Sequence, residues 1–396
     1  PQMMGLRTQF VHLWVCDQTE KTNDTFEDYG LFTQVEQLNK TALKAHGLDK
    51  NGHLYKVNNF DFHRYEDIIK LADDPDYNQA NFDVMLEIKG DSDHTKLIEM
   101  LDALNDESQK IDDVLDTYFD AENLVYWMAF QILTGNCDTQ NRNCYLYSPL
   151  NSKVWYILDW DNDGMLRKLE LSLTGFSDYA SWERGASNYW GNVLFNRALR
   201  SKSFRSELDR AVKDLRSYMT EARLSKMIKH YREVTESLVF ASPDIDHLPV
   251  TKDQYEQIAA AIPSEIEENY KSFRESFKKP MPFYIGVPQI DNGKLRINWD
   301  ASYDFEARDI RYTVELARDY AISDVVFKAE DVLLPEVTCD APDTGQYFVR
   351  VRATNSDGYT QDAFDYYVTD DGKHYGMKCF YVQDGGKVVE DTYEEG

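Results

Sequence analysis

The spacing of hydrophobic and polar positions changes character three times along this chain. Residues 9–15 (Gln-Phe-Val-His-Leu-Trp-Val) and 29–36 (Tyr-Gly-Leu-Phe-Thr-Gln-Val-Glu) are rich in β-branched and aromatic side chains and predict two strands. The polar stretch between them, with Asn23 and Asp24, predicts a hairpin turn. Asn39 is placed to cap a short helix that stops at Gly47, and Gly52 to Val57 reads as a further strand. From Leu97 the period becomes helical. Within 122–134, Leu124, Trp127, Met128 and Ile132 recur on one helical face, and Thr134-Gly135-Asn136 supplies a C-terminal stop. Residues 144–147 and 153–160 predict two short strands joined by a turn containing Pro149. From 181 to 278 the pattern is helical again, with Pro243, Pro249 and Pro263 expected to break it into pieces.

Lys279-Pro280-Met281-Pro282 then reads as a linker. Beyond it, strands are predicted at 294–299, 310–317, 324–328, 335–339, 346–353 and 364–368, a spacing typical of an antiparallel sandwich. No repeat of solenoid period is present. The fold class expected is α+β, with a helical C-terminal lobe in a domain over 1–280, followed by an all-β sandwich over 283–382.

Charge narrows the function. The 396 residues carry a formal net charge of −27. Such a surface repels phosphate backbones, so nucleic acid is not an expected partner, whereas divalent cations and basic peptides are attracted. The five cysteines, Cys16, Cys137, Cys144, Cys339 and Cys379, include no Cys-x-x-Cys pair, which argues against a disulfide framework or a zinc knuckle. Cys137 and Cys144 flank one loop, either as a bridge or as two free thiols. No run approaches the ~20 apolar residues of a membrane span.

The chemistry concentrates in 136–164. After the helix stop comes Asn136-Cys137-Asp138, and Asn143 follows Asp138 by five residues. Two strands intervene before Asp159-Trp160-Asp161-Asn162-Asp163-Gly164. Phosphoryl transfer asks little more of a protein than one carboxylate at the attacking hydroxyl and one or two oxygen ligands for the metal on the phosphates. Protein kinases place a catalytic Asp, an Asn five residues on, a short hairpin and a metal-binding Asp in this order. Alternation along 153–160 puts Val154, Tyr156, Leu158 and Trp160 on one face and Trp155, Ile157, Asp159 and Asp161 on the other. A ring suited to stacking on a base thus shares a face with carboxylates suited to a metal. The same aspartates, with Gly164 and Glu170, fit the spacing of an EF-hand calcium loop, but they follow a strand where an EF-hand follows a helix.

Ile132 to Asp138, Asn143-Cys-Tyr-Leu-Tyr147 and Lys153 to Asp163 together resemble the central motif of the spore coat protein H (CotH) kinases. Weaker likeness runs from Tyr29 through Leu54-Tyr55-Lys56 to Ser181-Trp-Glu-Arg-Gly185 and covers roughly the first 280 residues. The resemblance implies an atypical protein-kinase-like fold that passes phosphate from ATP to Ser/Thr of partner proteins. It implies Asp138 as the catalytic residue and Asn143, Asp161 and Asp163 as ligands of Mg²⁺, with Mn²⁺ or Ca²⁺ as alternatives. It also implies Trp155 and Tyr55 as the aromatic contacts of adenine. Two departures stand out. Asp159 occupies the place of a Pro usual in the family. The lysine that steadies the phosphates has no match, which places it upstream of Pro1, since Lys56 is a poor substitute. Leu295 to Ser302, with Trp299, and Tyr347 to Gly358 resemble a fibronectin type III module. Such modules and an N-terminus that is not Met suggest an extracytoplasmic or cell-surface protein, anchored through lipid upstream.

Two other readings of the chain remain: a non-catalytic adhesion protein on the same scaffold, and a calcium-stabilised structural domain. Among the remaining polar residues, His12 reads as a satisfied strand residue, and Glu87 with Lys89 as an ion pair. Arg184 and Arg197 are candidates to reach phosphate, with surface salt bridges the commoner role for such residues, and Asn188-Tyr-Trp190-Gly191 reads as packing.

Overall fold

A computed structural model describes residues 3–19, 25–175, 180–370 and 372–391. In chain order the first elements are β1 (Thr8–Val15), β2 (Glu27–Val35), α1 (Lys40–Ala45), β3 (His53–Val57), α2 (Gln79–Met85) and β4 (Leu86–Ile88). Then come α3 (Thr95–Asn105), α4 (Ile111–Tyr118), α5 (Ala121–Thr134), β5 (Cys144–Ser148), β6 (Tyr156–Asp159), α6 (Lys168–Leu173), α7 (Val193–Arg200), α8 (Lys202–Tyr218), α9 (Glu221–Val239) and α10 (Lys252–Ser276). The chain divides into two compact units, one of Pro1–Ser177 with Asn192–Tyr270, the other of Asp178–Gly191 with Lys271–Gly396.

In the first unit β1 and β2 pair antiparallel. The turn expected between them, with Asn23 and Asp24, lies outside the described residues. Asn39 caps α1 by accepting from the backbone of Thr41 and Ala42, and Gly47 follows with positive φ, as the sequence predicts. The sheet that matters for the site runs β4-β3-β5-β6. Its register sets Leu54 beside Tyr147 and Tyr156, and Lys56 beside Tyr145 and Leu158. Most of that face packs on Leu38, Ala42 and Leu43. The opposite face, with Tyr55, Leu146 and Ile157, is closed by other elements. Tyr55 meets Phe82 of α2 and His94, which immediately precedes α3. Asn123 of α5 bonds both backbone groups of Ile157. Both faces of this sheet are therefore covered.

Helix α5 is apolar nearly all round and correspondingly buried. Asp120 caps its start and Gly135, at φ 66°, ends it. Pro263 does not break a helix. It sits inside α10, which continues past it to Ser276. Residues Ile266, Asn269 and Phe273 beyond the proline are buried. That packing holds the helix through the missing amide hydrogen bond.

The second unit holds the β-sandwich. Its strands are β7 (Gln289–Asp291), β8 (Lys294–Asn298), β9 (Ile310–Ala317), β10 (Val325–Val332), β11 (Glu336–Asp340), β12 (Gly345–Asn355), β13 (Thr360–Asp362), β14 (Tyr366–Thr369), β15 (Gly372–Tyr375), β16 (Met377–Gln383) and β17 (Lys387–Glu390). One sheet runs β10-β9-β12-β16-β17 and the other β11-β8-β7. Their inner faces form one core that contains Trp299 and Tyr347, as the fibronectin-like pattern requires.

Candidate functional site

Strands β5 and β6 pair with Cys144 opposite Asp159. The loop that precedes β5 and the turn that follows β6 therefore leave the sheet at the same end. That topology brings Asp138, Asn143 and Asp161 together. Asn143 donates from Nδ2 to Asp138 Oδ2 at 2.9 Å, and Arg142 pairs with Asp138 Oδ1 at 3.3 Å. Burial pushes the Asp161 carboxyl above its ordinary range. The charges of Asp163 and Asp138 push the same way, and Lys56 opposes them. Lys56, a weak candidate by sequence position, is thus close enough to bear on Asp161.

The scaffold beneath is a chain of amides that sequence reading missed. Asn136 is buried and donates to Gln131 Oε1 at 3.1 Å, and Gln131 donates to Asp159 Oδ1 at 2.7 Å. Asn162 donates to the second oxygen of Asp159 at 2.5 Å. Burial pushes Asp159 up, and these donors oppose it. Asp159 therefore anchors the turn to α5 and faces away from ligand duty. Gly164 closes the arrangement. A Cβ there would lie 2.7 Å from Asn136 Oδ1 and 3.8 Å from Asp138 Cβ, so the turn fits against the loop only without a side chain. Asn143 and Asp161 both hold φ near 59°, a left-handed conformation that Asn and Asp adopt more readily than other non-glycine residues. The one signal that pointed to the scaffold is Gln131 followed by Asn136 at the end of an otherwise apolar helix.

One expectation needs correction. Tyr55 and Trp155 are 0% and 1% exposed, with ring centroids 6.0 Å apart, and the Tyr55 hydroxyl is spent on His94 at 2.9 Å. They are core residues between the sheet and its covering helices, with no face open to a base. The EF-hand pattern, disfavoured by its strand context, does not form its loop. A strand precedes it, Asp159 is taken by two amides, and Glu170 is held by Arg167 at 2.8 Å. Arg197 is spent on backbone carbonyls. It donates to the carbonyls of Asp106 at 3.1 Å and Gln109 at 2.6 Å, just beyond the end of α3. Among the smaller readings, His12 pairs with Asp28 at 2.7 Å and Glu87 with Lys89 at 2.6 Å. Cys137 and Cys144 do not bridge each other.

Among the described residues no three carboxylate, imidazole or thiolate groups converge as an all-protein metal cage. A nucleotide-bound Mg²⁺ does not need one, because it takes one or two carboxylates and keeps phosphate oxygens and waters. Asn143, Asp161 and Asp163 are oxygen donors of that kind, and the charges of Asp163 and Asp138 bear on Asp161. The donor set fits such an ion.

A helix-terminated loop carrying Asp and Asn is thus set against an Asp turn across a short hairpin. Residues 2–273, more than half of the chain, match the family model described as CotH kinase protein, and the chain belongs to that family. No curated protein matches. A solved structure described as the twitchin kinase region from C. elegans is 18% identical over 24% of this chain and 20% of that chain, with a TM-score of 0.19. So small and loose an overlap bears on neither fold nor function.

Proposed function

We propose that this protein is an atypical protein kinase that transfers the γ-phosphate of Mg-ATP to Ser/Thr hydroxyls of a partner protein. The observation that carries it is the convergence of Asp138, Asn143 and Asp161 at one end of the β5–β6 hairpin. Asp138 would accept the hydrogen bond of the attacking hydroxyl and take its proton as the new oxygen–phosphorus bond forms and the bond to the β-phosphate breaks. Asn143 and Arg142 hold the Asp138 carboxylate in one orientation. Asn143, Asp161 and Asp163 are the residues that would hold the metal, whose chemistry when bound is to neutralise charge on the phosphates. Tyr55 and Trp155 take no part in nucleotide contact on this reading.

Radiolabel transfer from γ-labelled ATP to a general acceptor protein, and to the chain itself, tests this. Asp138→Asn should lower transfer by about 10²–10⁴-fold, and Asp161→Ala should also weaken ATP binding in the presence of Mg²⁺. Equal transfer by wild type and Asp138→Asn would end the proposal. The closed packing of Tyr55 and Trp155 favours a second reading, a non-catalytic binding protein on the same scaffold. That reading expects no transfer and partner binding unaltered by Asp138→Ala.

A further inference from the structure

The sandwich unit has an aromatic cleft that no part of the phosphotransfer reading uses. It encloses about 510 Å³, within the range of small-molecule sites, and its walls include Tyr284, Phe364, Tyr366, Asp365, Lys378 and Glu390. Tyr284 is 53% exposed and Tyr366 38%. Rings run on without a break from one to the other. Tyr284 lies 4.8 Å from Phe364, Phe364 5.0 Å from Trp182, Trp182 6.4 Å from Tyr375, and Tyr375 6.2 Å from Tyr366. An exposed tyrosine alone needs no explanation. Here Tyr284, Phe364 and Tyr366 line the cleft together, so its wall is aromatic as well as charged.

The charges in the cleft decide what it suits. Lys378 bonds Asp365 at 3.0 Å and Glu390 at 2.5 Å, and Asp365 also accepts from the backbone of Ile285 at 2.7 Å. Asp391 is a third carboxylate in the wall. Lys373 places its ammonium 4.7 Å from the Tyr366 ring, so that ring already serves a cation. The wall holds three carboxylates to one ammonium, so a free anion is repelled, and a free cation competes with Lys378 for Asp365 and Glu390. A neutral ligand with hydroxyl groups meets neither the repulsion nor the competition. Each carboxylate oxygen has two acceptor positions, so hydroxyl donors are accommodated beside the ammonium. The rings favour a ligand with a flat apolar C–H face.

We infer that the cleft bounded by Tyr284, Phe364, Tyr366 and Lys378 is a binding site for a neutral carbohydrate chain. A pyranose ring joins an apolar face to a rim of hydroxyls that both donate and accept, which matches a wall of rings, carboxylates and one ammonium. The site is independent of Asp138 and Asp161, so the inference stands or falls apart from phosphotransfer.

Affinity electrophoresis and calorimetry on the full chain test it, with soluble β-glucan, xylan, mannan and chito-oligosaccharides as probes. Choline and a sulfated glycan serve as the cationic and anionic comparators. At least one neutral glycan should bind saturably. Tyr284→Ala and Tyr366→Ala should each weaken it about tenfold, and Tyr284→Trp should retain it. Glu390→Gln, at a partly exposed position, should weaken it while leaving the melting temperature close to wild type. The inference is overturned if no neutral glycan in the panel binds, if binding survives both alanine variants undiminished, or if choline or the sulfated glycan binds more tightly.

Discussion

Glu36 ties three stretches of chain with one carboxylate. It follows β2, pairs with Arg7 ahead of β1, and accepts from His46 at the end of α1 at 2.8 Å. The Arg7 and His46 donors hold its pKa down at about 2. A carboxyl depressed in the folded state stabilises above its ordinary range, and the benefit disappears as pH falls through the folded value. Glu36→Gln should therefore lower the melting temperature at pH 7 by about 1–2 °C, the scale of an exposed pair. The gap to wild type should close between about pH 4.5 and pH 2. A gap that persists at pH 2 would show that packing, not charge, is lost. Residues with a local role of this kind were the legible ones. Asn39 and Gly135 declare themselves because caps depend on the identity of one residue and its neighbours. The Asp138–Asn143–Asp161 spacing was legible for the same reason. Tyr55 and Trp155 were not. Alternation says which side chains share a face and is silent on whether α2, α3 and α5 will cover that face.

At the scale of elements, the hairpin that presents the site is held from outside the sheet. β6 is an edge strand, and α5 completes its hydrogen bonding through the buried Asn123, which accepts from the Ile157 amide at 2.8 Å and donates to the Ile157 carbonyl at 3.0 Å. Asn123→Ala leaves two buried backbone groups without partners, each costing about 1–3 kcal/mol. Urea denaturation should show a loss of about 2–4 kcal/mol, accompanied by loosening of the Asp161 turn. A loss under about 0.5 kcal/mol would mean that water replaces the amide. Pro263 presents the opposite case. A proline in mid-sequence predicts a break, yet α10 runs through it because the buried residues that follow, Ile266, Asn269 and Phe273, outweigh one lost hydrogen bond. Pro263→Ala restores that bond and should raise stability by about 1–2 kcal/mol in the same assay. No gain would mean that the restricted unfolded chain offsets the missing bond. Short strands were the other blind spot. β15 and β17, rich in charged and glycine residues, carry no hydrophobic alternation and exist through pairing with β14 and β16.

The whole molecule bears a net charge of −27, and that sets a term no single residue reveals. Like charges repel across the folded protein, so the fold should be weakest at low ionic strength. The Debye length shrinks from about 30 Å at 0.01 M to about 8 Å at 0.15 M, which screens most of this repulsion. Raising NaCl over that interval should increase the melting temperature. Mg²⁺ at matched ionic strength separates the general field from the site. If the acidic surface alone responds, Mg²⁺ adds the same increment to wild type and to Asp161→Ala, because one carboxylate among seventy changes the field little. If Asn143, Asp161 and Asp163 hold the ion, wild type gains an increment beyond NaCl that grows when ATP is added and is missing from Asp161→Ala. Ca²⁺ should not exceed Mg²⁺ in that increment, since Glu170 is bound to Arg167 and unavailable as the bidentate ligand of a calcium loop. A larger calcium increment, or an equal magnesium increment in both proteins, would remove the metal from the candidate site and with it the reason Asp161 tolerates two carboxylate neighbours.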